Sequence, residues 1–189
     1  HGEFDPVNIF VLDNDPIKSA EYCVDKHVVK MIVESCQMLS TAHRVLDGDE
    51  WTDYGKNGRR IKRWRLEEPR ESLLYKASFV GHPCTQWIMQ SQENYRWLAR
   101  HAVALTEEYT IRYKKIYAAD LLCKFFVDSY PTNLTSIHQT AFAQAMPEEY
   151  KVVGDAVQAY RNYYHGEKAR FAKWKTSIPH WWNGVSVAV

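Results

Sequence analysis

The chain contains no apolar run approaching the roughly 18–20 residues that a bilayer-crossing helix needs, which excludes a spanning protein. It has no Cys-x-x-Cys pair, and its four cysteines, Cys23, Cys36, Cys84 and Cys123, are scattered. That pattern argues against a zinc ribbon or a disulfide framework and fits a reducing cytoplasm. His-Glu-x-x-His and acid-rich calcium loops are absent, so the eight histidines predict no metal site. Gly-x-x-x-x-Gly-Lys-Ser/Thr, Gly-x-Gly-x-x-Gly and Gly-x-Ser-x-Gly are missing too, which removes support for P-loop, dinucleotide-binding and hydrolase-elbow readings. No cofactor is expected. Glu107-Glu108 near Arg112 is a lone acidic pair, whereas a helical nucleotide pyrophosphohydrolase needs repeated pairs to cradle magnesium. Charge of one sign is not in excess either: 24 basic residues face 23 acidic ones, a net charge of +1. Any polyanion-binding surface must therefore be local.

What is present is enough apolar material, 46% of 189 residues, for one well-packed domain. The start, His1 to Val7, lacks the basic and apolar regions of a signal peptide. It reads as a leader left by cloning, because Glu3-Phe4 is the dipeptide of a common cloning site. Val7 then stands where an initiator methionine stood, and natural sequence begins near Asn8. Without Glu3 and Asp5 the balance is 24 basic to 21 acidic residues, or +3.

Periodicity predicts a mainly α, single compact domain over 8–189, with a long central helix and long loops. Asn8 to Leu12 is a short strand or buried arm. Asp15-Pro16 is a helix start, an N-cap followed by proline at the first helical position. From Asp25 to Leu46 apolar residues recur at steps of three and four, which predicts an amphipathic helix that Gly48 ends. Residues 47–70 lose that period and read as a basic loop or insertion. A short helix is expected over 70–80. A long one follows Gly81-His82-Pro83 as far as Arg112, about 45 Å at 1.5 Å per residue. Further helices are expected over 118–127 and 155–174.

Three stretches carry possible chemistry. On the 25–46 helix, His27, Lys30, Glu34, Gln37, Thr41 and Arg44 form one polar stripe opposite the core face. A carboxylate, an imidazole and an ammonium within two turns supply acid–base chemistry and a positive field. The bland alternative is a solvated face with a Lys30–Glu34 ion pair. Next, Lys56 to Arg65 holds six cations, Lys56, Arg59, Arg60, Lys62, Arg63 and Arg65, and no acid, beside Trp51, Tyr54 and Trp64. Cations interleaved with rings suit phosphates and bases, although a basic loop can simply be solvated. Finally, Tyr160, Arg161, Tyr163, Tyr164 and Lys168 interleave rings and cations again, and some of these tyrosines belong to the core.

These residues carry a resemblance. Asp25-Lys-His27, with Glu34 seven residues after the histidine, is similar to the first helix of the pyrimidine dimer DNA glycosylase family. Gly81-His82 before a long helix, the positions Tyr95, Leu98, Leu105, Glu108 and Arg112, and the run Tyr160 to Lys168 resemble further family patches. Together they span about half of the chain. The chain departs from the family at Val33 and Gln37, where the family carries arginines that clamp phosphates.

The resemblance implies a phage-type DNA-processing enzyme of the infected bacterial cell. It acts on duplex DNA carrying a damaged or modified pyrimidine, as an N-glycosylase with abasic-site lyase activity. On that reading the N-terminal amine, at Asn8, attacks the sugar, Glu34 is the key carboxylate and His27 lies beside the reaction centre. Lys30, Arg44, the 56–65 cations and the 160–168 residues contact DNA. The alternatives are a non-catalytic nucleic-acid-binding protein and a helical enzyme that processes nucleotides.

Overall fold

The computed structural model describes residues 7–184. The leader reading of residues 1–6 lies outside the described residues, while Val7 is fully buried. Residues 7–12 form a buried arm without a strand partner among the described residues, so the arm alternative holds. Ser19 pins it, accepting from Leu12 N and donating to Phe10 O.

Helix α1 (Pro16–Tyr22) starts where Asp15-Pro16 predicts, with the Asp15 side chain capping Ile17 N at 2.9 Å. Helix α2 (Asp25–Asp47) follows and ends at Gly48. Its apolar positions Val28, Met31, Ile32, Cys36, Leu39 and Ala42 are all buried, as the period required. Of the opposite stripe only Lys30, 3.9 Å from Glu34, is exposed and Gln37 half-buried. His27, Glu34, Thr41 and Arg44 are each under 8% exposed, because the N-terminal arm and residues 71–78 cover them. Helix α2 thus has two buried faces, one apolar and one polar.

Segment 47–70 is not an irregular loop. Strands β1 (Asp49–Tyr54) and β2 (Arg60–Arg65) pair antiparallel, from Asp49 opposite Arg65 to Tyr54 opposite Arg60. Asn57 and Gly58, both at positive φ (67° and 71°), make the left-handed turn that such ribbons favour.

The helix expected over 70–80 stops after one turn as α3 (Arg70–Leu73). Arg44 explains why: its guanidinium takes the carbonyls of Glu71, Leu74 and Tyr75, together with Trp64 O and the Glu71 carboxylate. Those bonds favour a path in which the carbonyls turn toward Arg44 and away from the helix axis. The chain instead runs on α2, with Ser78 and Thr41 bonding in both directions at 3.0 Å.

The expected 45 Å helix is two helices, α4 (Pro83–Ile88) and α5 (Gln92–Tyr113), the second about 33 Å long. Ser91 caps α5 by accepting from Asn94 N, and the next N–H groups, of Gln92 and Glu93, go to Ser136 O and Ile137 O. Helix α5 is still the spine, packing on α1, α2, α4 and α6 (Asp120–Asp128). At its C-terminal end Arg112, with no exposed side-chain surface, bonds Asp25, Glu108 and the carbonyls of Glu21 and Cys23. That cluster locks the first turn of α2 in place.

The last helix, expected over 155–174, is helical only as α7 (Ala156–Tyr163). It widens into a π turn over Tyr164–Lys168 and ends in a 3-10 turn. Gly166 in the π turn lies against the Tyr150 ring, where a β-carbon has no room. Asp25 N then donates to Lys173 O, which brings the C-terminal segment to the start of α2.

Candidate active site

Glu34 lies midway along α2, 7% exposed, on the face covered by the N-terminal arm. The backbone N of Asn8 donates to its Oε1 at 3.0 Å. Two candidate residues 26 apart in sequence therefore meet atom to atom. Asn8 is held by its own side chain as well. Oδ1 accepts from Ile9 N, from the Tyr160 hydroxyl at 3.0 Å and from the Cys84 thiol, while Nδ2 donates to Ala145 O at 2.9 Å. A buried amide with all of these bonds made has one orientation, so the main-chain nitrogen of residue 8 is fixed on the carboxylate.

His27 sits one face-repeat earlier on α2, 3% exposed. Its ring stacks on Phe10 with centroids 4.3 Å apart, and Nδ1 is 2.8 Å from the Tyr164 hydroxyl. Val24 N–H already donates to that hydroxyl. Burial pushes the imidazolium well below its usual range, and the charges of Lys168, Lys30 and Lys26 push the same way. His27 is a neutral, clamped ring, better suited to holding Phe10 and Tyr164 than to cycling a proton at neutral pH.

A cavity of about 380 Å³ opens beside Asn8. His82, Tyr163, Glu167, Lys151 and the 144–147 segment line it. Gln144 ties that segment down by bonding Val152 through both amide atoms. The cavity is large enough for a nucleobase and is walled by groups that can hydrogen-bond and stack. Glu34 does not line it; Asn8 stands between the two.

Cations gather at the start of α2. Lys30 is half exposed and lies 3.9 Å from Glu34. Lys26 and Arg170 both lie over the Phe171 ring, at 4.8 and 5.3 Å. At the other end of α2 stands the ribbon. Arg63 pairs with Asp53 at 3.0 Å and Lys62 with Glu50 at 3.6 Å, so β1 partly neutralises the cation run of β2. Arg65 lies over Trp51, and Lys56, Arg59 and Arg60 remain exposed around the turn.

Several expected DNA contacts are placed elsewhere. Arg44 is 4% exposed with its guanidinium occupied by five bonds, so it organises the 64–75 backbone and cannot reach a phosphate. Tyr160 and Tyr164 are core residues whose hydroxyls serve Asn8 and His27. Arg161 donates to Leu12 O and lies over Trp181. Lys168 is 5% exposed, its ammonium 4.7 Å from the Tyr163 ring centre. The interleaved pattern at 160–168 is therefore mostly core, with Tyr163 and its neighbour Glu167 on the cavity wall. Sequence reasoning missed Lys26, His82, Lys151 and Glu167 as site residues. Gly81-His82 is visible in the sequence as a pattern, whereas nothing there marks 144–151.

A family model described as pyrimidine dimer DNA glycosylase matches residues 7–120, from the N-terminal arm to the first residue of α6. No curated protein and no solved structure matches the chain.

Proposed function

Because the chain belongs to the pyrimidine dimer DNA glycosylase family, we propose that it releases a damaged or modified pyrimidine from duplex DNA, with Glu34 as the catalytic carboxylate and residue 8 as the source of the nucleophile. The observation that carries this reading is the 3.0 Å contact between the main-chain nitrogen of Asn8 and Oε1 of Glu34. Supporting it are the cavity beside that nitrogen, sized for an everted base, and the cations of Lys26, Lys30 and Arg170 nearby.

The chemistry requires a free amine at residue 8. In the 189-residue chain that nitrogen is an amide joined to Val7, whose lone pair is delocalised and not nucleophilic. An α-amine has a reference pKa of about 7.7–8.0, so a useful fraction is unprotonated at neutral pH. The amine attacks C1′ of the target nucleotide, the glycosidic bond breaks, and the base leaves with the bonding pair and acquires a proton. Glu34 stabilises the positive charge that develops on the sugar and accepts the amine proton. Ring opening gives an imine, from which β-elimination of the 3′ phosphate nicks the strand.

Val7, the first residue of the N-terminal arm, is fully buried, and this favours a second reading for the chain that retains it. With residue 8 acylated, Glu34 activates water instead, and the protein is a glycosylase without lyase activity. Glu34→Gln separates both readings from simple DNA binding: it should abolish base release and leave the affinity for duplex DNA nearly unchanged. Loss of affinity with unchanged turnover at saturating DNA would remove Glu34 from the chemistry.

A further inference from the structure

The ribbon of β1 and β2 takes no part in the chemistry proposed above. Residues 49–65 carry six cations and three acids, a net +3 in a chain whose total is +1, so the other residues net −2. The positive excess of the protein is therefore concentrated in one element. The ribbon is about 20 Å long and packs on itself and on the end of α2. Its root is fixed. Arg44 donates to Trp64 O at 2.8 Å, Leu66 N donates to Glu71 at 2.9 Å, and Gly48 lies so close to Arg44 O and Trp64 Cβ that a β-carbon has no room.

The two faces of the ribbon differ. Alternation and register put Trp51, Asp53, Ile61, Arg63 and Arg65 on one face, with Thr52, Tyr54, Arg60 and Lys62 on the other. The first face turns toward the protein: Trp51, Arg63 and Arg65 share a small hollow with Lys76 and Ala77. On it Asp53 takes Arg63 at 3.0 Å, and Ile61 and Arg63 are half-buried. The second face is open. Thr52, Tyr54, Arg60 and Lys62 are all exposed, and Lys56 and Arg59 continue the exposed cations around the turn.

We infer that this outer face lies in the major groove of duplex DNA to one side of the target, with Arg60 and Lys62 on base edges and Lys56 and Arg59 on phosphates. The inference rests on the duplex-DNA part of the reading above and on none of its bond chemistry. Two strands about 4.8 Å apart, with their side chains, fill a groove about 12 Å wide and are too broad for one of about 6 Å. Proteins that enter the minor groove and kink it commonly lead with an apolar wedge, and the turn Lys56-Asn-Gly-Arg59 offers none. Cations and a hydroxyl side by side suit the acceptors that guanine presents in the major groove. Fourteen residues of α2 separate Glu34 from Gly48, about 21 Å or about six base-pair steps, which sets the contact away from the reacting sugar.

The test is dimethyl sulfate footprinting, which reads guanine N7 in the major groove and adenine N3 in the minor groove. The protein is the full chain carrying Glu34→Gln, so that no base is released, on a duplex with one cyclobutane thymine dimer and guanines along both flanks. Guanine N7 should be protected about five to eight base pairs from the dimer on one side, with adenine N3 there still reactive. Adding Arg60→Gln and Lys62→Gln, both at exposed positions, should abolish that protection and weaken binding about ten- to a hundredfold. Adding Arg63→Gln on the inner face instead should leave the footprint in place. N7 protection that survives loss of Arg60 and Lys62, protection of adenine N3 in its place, or no flanking protection would overturn the inference. Undamaged duplex saturated with protein separates this outcome from failure of the glycosylase reading. Guanine N7 reactivity should fall there too and recover with Arg60→Gln and Lys62→Gln, even for a protein that shows no preference for the dimer.

Discussion

Glu34 and Asn8 are the residue pair on which the proposed chemistry turns. A carboxylate 7% exposed, facing one fixed N–H, has little freedom to do anything except receive a proton from that nitrogen or stabilise positive charge beside it. Glu34→Gln keeps the shape and the hydrogen bond but removes the charge. Single-turnover base release should drop at least roughly a hundred- to a thousandfold, as for loss of one preorganised electrostatic group, while electrophoretic-shift affinity stays within about twofold. His27→Asn should behave differently. It removes the ring between Phe10, Tyr164 and Phe171, so thermal stability should fall by roughly 2–4 kcal/mol, with activity following the folded fraction. A pH–rate profile with an acid limb that vanishes in His27→Asn would instead make it a proton carrier. At this scale the sequence is informative where spacing and geometry agree, since seven residues on a helix put His27 and Glu34 on one face. It misleads where composition is the only signal. Tyr160, Tyr164 and Arg44 resemble a DNA surface in sequence, but their polar atoms are consumed by Asn8, His27 and the 64–75 backbone.

The ribbon is the element whose sequence signal is present yet masked. Asn57-Gly58 between two six-residue runs that each carry aromatic and β-branched residues is a hairpin signature. The density of charge hides it, since six cations in ten residues suggest mutual repulsion rather than a paired strand. Strand β1 supplies the counter-charges, which no reading confined to residues 56–65 could reveal. What stays uncompensated is the turn and its flank, Lys56, Arg59 and Arg60. Replacing these three by glutamine should lower the slope of log affinity against log salt by about two to three, close to one for each phosphate no longer neutralised. Arg63→Gln, already paired with Asp53, should change the slope by less than about one. Equal effects from the two substitutions would mean that the ion pairs open on binding. Helix breaks are the other feature the sequence conceals. The splits after α3 and α4 depend on Arg44 and on the 136–137 carbonyls, partners distant in sequence.

For the whole molecule, three buried imidazoles govern the response to acid. Burial, the leading cause for each, depresses His27 well below its ordinary value and His43 and His101 to about 4. All three are neutral in the fold and bind protons more readily when unfolded. Stability is therefore complete above about pH 6.5 and declines as pH falls toward the folded-state values, by roughly 1–2 kcal/mol per histidine at about pH 5. Urea midpoints measured from about pH 7.5 to about pH 4.5 should fall steadily across that window. A profile that stays flat to about pH 5 would contradict the burial of these rings. Arg112 makes a second global prediction. Arg112→Met strands Asp25 and Glu108 without their cation, and should destabilise the fold by about 3–5 kcal/mol and loosen the start of α2. The mainly helical class and the α5 spine are legible because buried helical faces repeat every three or four residues. The cavity of the candidate site is not, since it is assembled from 82, 144–147, 151, 163 and 167, which only the fold brings to Asn8.

The measurement that bears most directly on the central claim is borohydride trapping with ultraviolet-damaged duplex DNA. It should compare protein beginning at Asn8, the chain with its residues 1–7, and the Glu34→Gln form of the first. A covalent protein–DNA adduct is expected only for the protein beginning at Asn8 with Glu34 intact, with the longer chain at most releasing base without trapping. Neither adduct nor base release from protein beginning at Asn8, despite salt-sensitive binding, would contradict catalysis by the Asn8–Glu34 pair.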